Sequence, residues 1–424
     1  LVLILMSLLL VPIVLLAAWH EGQGSRWSQK SFFALLLAAY YLIRPVRDSL
    51  AAGLGSESIK FLSSGVLLVS AIVATLYAWL VSTVPRRWLV PCLYVAFAAK
   101  LAGFALLFRL WPDSRFLAAG FYLWVAVFNL WMVSTFWSFM ADLWTEGEAR
   151  SHFGRIAAGG SFGGLLGPLL AQHFAVRVGP QGLMLLAAAL LLAGSMVALY
   201  LMRELGGEGH LRGSKTVSGG IGSGLKDIFK SPVLSRVALL VAGGSVLGMF
   251  LYIEVAKAAV ILHPDVAGRT AFFAERDLWV NALALVVQFL IAPTLLGRGV
   301  GQTLVLVSII TSFAFAGLAL WHTVPVLLGV NILLRVVEFS LGKPSRDAAY
   351  ASLPDSAKYR SKNLIDTVFY RACDSTAGWA YALVAAVGGA YVSIGIAGCL
   401  AGVALAKTGQ GLISRLNTHC PEPR

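Results

Sequence analysis

Charge is scarce in this chain, and that scarcity excludes most soluble architectures. Only 12% of the 424 residues are Asp, Glu, Lys or Arg, against 58% apolar residues. The mean hydropathy of +0.80 lies far above that of a water-soluble domain. Cysteine is sparse too. Cys92, Cys373, Cys399 and Cys420 form no Cys-x-x-Cys pair and no Cys/His cluster, which argues against a disulfide framework and a structural zinc site. The seven histidines are scattered, with no His-Glu-x-x-His, no Gly-x-Ser-x-Gly and no glycine-rich loop ending in Gly-Lys-Ser/Thr. Metalloprotease, serine-hydrolase and P-loop ATPase chemistry therefore have no carrier, and no enzyme activity, cofactor or metal is expected. Acidic residues are the rarer sign, leaving a net charge of +13. The bases sit in short loops between apolar runs rather than in a patch interleaved with aromatics, which points to membrane topology and not to nucleic acid.

What the chain does have is length of apolar run. From Ser31 onward about twelve runs are each long enough to cross a bilayer: 31–53, 61–84, 88–111, 116–143, 154–177, 181–203, 233–261, 277–297, 300–321, 323–351, 363–387 and 389–407. The fold class expected is an all-α membrane protein, a twelve-helix bundle with a 6+6 pseudo-repeat. Residues 1–19 form one further apolar run with no basic lead, read as an extra membrane helix, an anchor or a removed segment. The expected organisation is an extra segment with its lead-in (1–29), a six-helix bundle (30–203), a Gly/Ser/Lys-rich cytoplasmic linker (204–232), a second six-helix bundle (233–407) and a cytoplasmic tail (408–424). Placing the start of helix 1 inside collects about nineteen of the 33 basic residues on the inner side. Both ends of the core are then cytoplasmic.

The few charges inside the runs carry the functional signal. A charge at membrane depth costs about 2.5–3.5 kcal/mol on the mildest scale, so it needs a partner, a wet cavity or a function. Helix 1 contains Tyr41, Arg44, Pro45, Arg47 and Asp48, and helix 10 echoes it as Lys343-Pro344-Ser345-Arg346-Asp347. Positions i, i+3 and i+4 share a helix face, so Asp48 is expected to pair with Arg44 and leave Arg47 available, with Lys343, Arg346 and Asp347 repeating the arrangement. Arginine forks suit phosphate or carboxylate. The same residues also read as gate ion pairs or as purely structural pairs. Asp142, Glu254, Lys257, Asp366 and Arg371 are further candidates on helices 4, 7 and 11; with Lys100, Arg335, Glu338 and Asp374 the expected helices hold eight bases against seven acids, a near balance in which charge alone does not demand an anionic substrate. Helices 1, 4, 7 and 10 open the four three-helix repeats of such a bundle, which explains why the polar residues gather there around a central cavity. The charges of helices 1 and 7 fall in the outer half and those of helices 4 and 10 near the cytoplasmic end. Asp48, Asp142, Glu254, Lys343, Asp347, Asp366 and Arg371 are accordingly read as gating or proton-coupling groups. Arg44, Arg47, Lys257, Arg346, Tyr41 and Trp137 are read as substrate contacts.

Helix 5 opens Gly154-Arg155-Ile156-Ala157-Ala158-Gly159-Gly160-Ser161-Phe162-Gly163-Gly164-Leu165-Leu166-Gly167-Pro168, with small residues such as Gly159, Gly163 and Gly167 every four positions, a pattern that lets two helices approach closely. On helix 4, Phe128 and Trp131 lie three residues apart, read as packing or as a stacking platform. The inner loops 145–150 and 355–360 echo each other and are expected to be hinges.

Five stretches together are fairly specific: Arg44-Pro45-Val46-Arg47-Asp48; Phe136-Trp137-Ser138-Phe139-Met140-Ala141-Asp142; Ala271-Phe272-Phe273-Ala274 with Asp277-Leu278-Trp279-Val280-Asn281; Lys343-Pro344-Ser345-Arg346-Asp347; and Asn363-Leu364-Ile365-Asp366-Thr367-Val368-Phe369-Tyr370-Arg371. Over residues 30–390 the chain resembles the ATP:ADP antiporter (nucleotide translocase) family and its bacterial relatives in the major facilitator superfamily. The resemblance implies basic phosphate-binding positions at Arg47 and Arg346. It departs where the family has an acid early in helix 4, since Ala126 and Asn129 stand there. It also implies an alternating-access exchanger of a nucleotide-like or other organic anion, a monomer in the bacterial inner membrane, with its substrate near the midplane between the halves. A major facilitator transporter of a different small molecule, proton-coupled or not, is the alternative. A membrane scaffold or enzyme is the reading outside transport.

Overall fold

The computed structural model describes residues 24–84, 86–143, 146–205, 228, 230–350, 361–362, 364–386 and 390–419. The apolar run 1–19, most of the 204–232 linker and the 355–360 loop lie outside these residues.

Helices account for nearly all of the described chain. In order they are α1 (Gly24–Gly53), α2 (Ser56–Thr83), α3 (Arg86–Leu110) and α4 (Arg115–Leu143). The run Glu146–Leu205 holds α5 (146–178) and α6 (180–205). Then come α7 (Pro232–Leu262), α8 (Val266–Leu290, continued after a 53° bend by Ala292–Arg298) and α9 (Val300–Leu320). Last are α10 (Val324–Val337, Glu338–Gly342 and Lys343–Tyr350), α11 (Ile365–Phe369 and Tyr370–Ala386) and α12 (Ala390–His419). Among the described residues, eight helices are long and apolar enough to cross a membrane, or nine with the bent pair. The double run 146–205 counts as one of these. Together with the charge-bearing α1 and α11, the twelve-helix expectation is met.

Several boundaries differ from expectation. α1 starts at Gly24 rather than 31, and α5 starts at Glu146 rather than 154, so 146–150 of the expected 145–150 hinge is helix. The expected helices 154–177 and 181–203 are continuous except at Gly179, whose φ of 69° and ψ of 175° suit only glycine. Pro180 follows at the first position of α6, where its missing N–H is tolerated. Helix 8, expected from residue 277, starts at Val266 because Asp265 caps it, its Oδ2 accepting from Gly268 N–H at 2.6 Å. Helix 12 continues beyond 407 to His419.

The chain divides into two compact units. The first comprises 1–54, 68–215 and 259–278, the second 55–67, 216–258 and 279–424. In the first unit α1 packs chiefly on the α5–α6 run and α4, and α3 on α4 and the same run. Its core is aromatic: Phe32 meets Tyr94, Phe136 and Phe139 edge-on. The expected close approach of helix 5 is present. A Cβ at Gly163 would collide with the backbone of Ala34, and one at Gly167 would lie 2.7 Å from the Ala38 carbonyl, both on α1. Gly154 faces open space instead. In the second unit α9 and α12 pack in the same manner, with Gly395, Gly398 and Gly402 of α12 against Ala319, Phe315 and Ser312 of α9.

Two outcomes follow from these contacts. Gly163→Val is expected to destabilise the protein by about 1–3 kcal/mol through overpacking, whereas Gly154→Val is near neutral; thermal unfolding in detergent measures both. Asp265 is exposed, and the Gly268 hydrogen bond holds its carboxyl below the usual carboxylate range. Its cap contribution is therefore complete above about pH 5, roughly one unit over the unfolded value, and fades as pH falls through the lowered folded value. The difference in thermal midpoint between wild type and Asp265→Ala should be constant from neutral pH to about pH 5 and shrink below it.

Candidate functional site

In the first unit five charged side chains form one buried chain of contacts between α1 and α8. Arg47 Nε and Nη2 donate to Asp48 Oδ1 at 2.9 and 2.6 Å. Arg276 Nη2 donates to Asp48 Oδ2 at 3.0 Å, and Arg276 Nε and Nη2 donate to Asp277 Oδ1 at 3.1 and 2.8 Å. Arg44 Nε lies 3.5 Å from Asp277 Oδ2. Both carboxylates are only 1% exposed. Each guanidinium also lies over an aromatic ring, Arg44 on Tyr41 at 5.6 Å, Arg47 on Tyr122 at 5.2 Å and Arg276 on Phe273 at 4.8 Å, a cation–π contact that strengthens as water is excluded. Three guanidiniums thus meet two carboxylates.

The expected Asp48–Arg44 pairing is corrected by this geometry. Arg44 is drawn across to Asp277, and Asp48 is held between its chain neighbour Arg47 and Arg276. Adjacent helix positions do not face each other, but the long arginine stem bends back to its neighbour, identically in Arg47-Asp48 and Arg276-Asp277. Arg276 falls just before the helix expected from 277, and Asp277, at its first position, is not among the site residues read from the sequence. The signal was the Arg-Asp dipeptide, which occurs at 47–48, 276–277 and 346–347. A fourth guanidinium lies nearby. Arg269 is 6% exposed and donates to backbone carbonyls, those of Ser49 (3.3 Å), His263 (3.2 Å) and Pro264. It sits at the C-terminal end of α7, where the helix dipole favours a cation. Gly53 leaves room for it, since a Cβ there would stand 2.9 Å from Arg269 Nη2.

The second unit holds separate polar stations. On α7, Glu254 is 2% exposed and accepts from Tyr381 of α11 and from Lys257, whose own side chain is 34% exposed and also reaches Tyr381. Two to three turns away, Ser245 donates to Asp374 at 2.7 Å, with Arg371 at 3.9 Å from the same carboxylate. On α10, Arg346 pairs with Glu338 and Asp347 with Lys362 at 2.8 Å. This corrects the expected Lys343–Arg346–Asp347 arrangement. Glu338–Gly342 is a π turn, and one wide π turn plus one α turn brings residue 346 beneath residue 338. Gly342 clears the path, because a Cβ on it would strike Glu338. A second π turn, Ile365–Phe369, carries Asp366. Lys343 and Asp366 are exposed and make no ion pair among the described residues.

The structure thus gathers Tyr41, Arg44, Arg47 and Asp48 in one place, Glu254 and Lys257 in another, and Lys343, Arg346, Asp347 and Asp366 at the facing ends of α10 and α11. Trp137 belongs to the first unit's aromatic packing, with Phe33, Phe136 and Phe153 within 5.4 Å. Phe128 is fully buried and stacked on Trp124 at 5.4 Å, so it is core and presents no platform. Asp142 lies in the last turn of α4; its side chain is outside the described residues.

Comparison with known proteins follows from this architecture. No curated protein matches the sequence. Among solved structures, a POT family transporter in complex with 5-aminolevulinic acid superposes with a TM-score of 0.67 at 14% identity, over 91% of this chain and 96% of that one. A POT family transporter bound to a thioalcohol-conjugated peptide gives 0.66 at 13% over 93% and 96%. The nucleoside transporter NupG gives 0.60 at 13% over 92% and 99%. At such identities these likenesses establish the fold alone. The sequence model of the Major Facilitator Superfamily matches residues 3–355, and with twelve membrane helices in place the chain belongs to that superfamily, as a multi-pass membrane transporter for a small molecule.

Proposed function

We propose that this transporter exchanges a nucleotide-like or related organic anion by alternating access. The observation that supports the reading is the α1–α8 network, in which three guanidiniums share two carboxylates. Guanidinium forks gathered at one place suit a phosphate or carboxylate, which they bind through charge-assisted hydrogen bonds. Arg47 has the most exposed side chain of the five, at 16%, and is the proposed first contact. As an anion engages Arg47, Asp48 keeps Arg276, so the carboxylate is never left alone. Arg346, Lys257, Arg44, Tyr41 and Trp137 are the further proposed contacts. Asp48, Asp142, Glu254, Lys343, Asp347, Asp366 and Arg371 are proposed as gate or coupling groups. Exchange supplies the driving force, since the sequence carries no P-loop for ATP hydrolysis. The proposed setting is the bacterial inner membrane, which the resemblance supports, with the ends of the core inside, which the distribution of Lys and Arg supports. The α1–α8 network then occupies the outer layer.

A second reading, proton-coupled transport of another small molecule, is favoured by one observation. Glu254 is buried with a phenol and an ammonium as partners, the setting of an intramembrane proton site.

Proteoliposomes preloaded with ADP should take up labelled ATP, and empty ones should not. Arg47→Ala and Arg346→Ala should each lower the rate by about tenfold or more, as expected for loss of a charge-assisted pair. No ATP/ADP exchange, alongside counterflow of a different anion, would remove the nucleotide reading. For the gate role, Arg44→Asp and Asp277→Arg alone each leave a buried charge uncompensated, a loss of about 3–5 kcal/mol. The double swap should recover both folding, by size-exclusion profile, and transport. Recovery of folding without transport would assign the pair a structural role only.

A further inference from the structure

Four guanidiniums lie along the seam between α1 and α8, and Arg269 differs from the other three. Arg44, Arg47 and Arg276 each meet a carboxylate. Arg269 is as deeply buried, at 6% exposure, yet it rests on backbone carbonyls from three places. These are Ser49 near the end of α1, His263 just past α7 and Pro264 in the turn before α8. Capping α7 requires only the second and third. The bond to Ser49, 220 positions away, is additional.

The guanidinium is carried by a well-defined turn. Asp265 caps α8 through Gly268 N–H at 2.6 Å, and Arg269 N–H closes on the Asp265 carbonyl at 3.2 Å. Its seat on α1 is equally defined. Gly53 lies one turn beyond Ser49, and a Cβ there would stand 2.9 Å from Arg269 Nη2. Between its first residue and Gly53, α1 has no other glycine. Beside this seat the hydroxyls of Ser49 and Thr270, both wholly buried, donate to one acceptor, the Val266 carbonyl, at 2.8 and 2.7 Å. Seven residues after Arg269, two helical turns on, Arg276 leaves the same side of α8. It reaches Asp48, the chain neighbour of Ser49, while Asp277 reaches Arg44. Arg269, Phe273 and Arg276 thus form one buried stripe laid along α1.

We infer that Arg269 is the positioning residue of this seam. Its grip on the Ser49 carbonyl fixes the register of α8 on α1, and that register brings Arg276 and Asp277 to Asp48 and Arg44. The ion pairs do not fix it by themselves. Arg47-Asp48 and Arg276-Asp277 stay together wherever the helix slides, and a long, rotamer-rich arginine stem reaches a carboxylate from more than one register. A carbonyl beside the single gap at Gly53 accepts the guanidinium in one position. All of these residues belong to the first unit, and the role holds whichever small molecule is carried.

Disulfide trapping in the full chain, in a cysteine-free background reconstituted in bilayers, reads the register without any solute. Ser49→Cys with Thr270→Cys samples the observed register, because the two hydroxyls meet on one carbonyl. Ser49→Cys with Ala274→Cys samples a slip of one turn. The first pair should crosslink about tenfold or more faster than the second, the ratio that one charge-assisted hydrogen bond supports. Arg269→Gln should erase this preference in protein that stays monodisperse by size exclusion. Gly53→Ala should erase it too, although alanine is the better helix former, because its methyl takes the seat of the guanidinium. Added to Arg269→Gln, Gly53→Ala should leave the crosslink ratio unchanged and raise the thermal midpoint. Equal trapping of the two pairs with Arg269 and Gly53 intact overturns the inference. So does an undiminished preference in folded Arg269→Gln, or a further loss when Gly53→Ala is added to it. Should Arg269→Gln fail to fold, Gly53→Ala alone decides, and an undiminished preference there overturns the inference.

Discussion

A guanidinium in hydrocarbon must be answered by a carboxylate within reach, and this requirement governs how α1 and α8 meet. Arg44, Arg47 and Arg276 would each be prohibitive alone. Strung along Asp48 and Asp277 they become a single object, with every carboxylate oxygen that faces an arginine buried. Segment 259–278 belongs with the first unit although it lies in the second half of the chain. The ion pairs, the Ser49 hydroxyl on the Val266 carbonyl at 2.8 Å and the Arg269 contacts hold it there. Breaking one member of such a buried network costs more than an intact pair contributes, because it leaves a charge uncompensated.

How much of this was legible in the sequence depended on the range of the interaction. Apolar run length gave twelve spans because bilayer thickness is a one-dimensional ruler. Glycine spacing on helix 5 gave the α1–α5 approach because its cause, a missing Cβ, is local. Pairing was not legible in the same way. Helical spacing puts Asp48 under Arg44, and within one helix that is correct; the competitor was Asp277, some 230 positions away. In α10 the spacing itself changed, because the π turn at Glu338–Gly342 shifts every later residue round the axis and hands Arg346 to Glu338. A rule built on 3.6 residues per turn cannot anticipate an inserted residue. The late start expected for helix 8 has a simpler cause: Arg269, Glu275 and Arg276 interrupt the apolar run, while the signal that the helix begins earlier is the Asp265 cap.

The two units answer charge differently, and the difference bears on transport. The first has a dense, dry chain of five side chains. The second has small stations, each of two or three groups, strung along α7, α10 and α11, with exposed members such as Lys257 beside buried ones such as Glu254. A dense network holds or breaks as a whole. Small stations can change partners one at a time, and the π turns at Glu338 and Ile365 set two of them in helix segments whose hydrogen bonding is already irregular.

Gly179 separates two membrane spans by a single residue. A joint that short leaves almost no polar backbone between α5 and α6, which suits insertion of the two as one helical hairpin. The leading edge of that hairpin is Val178-Gly179-Pro180, which carries no charge. The polar side chains that follow it, His173 and Arg177, already share a hydrogen bond at 2.7 Å. The glycine that bends the finished backbone therefore also sets the size of the unit in which this part of the chain is inserted.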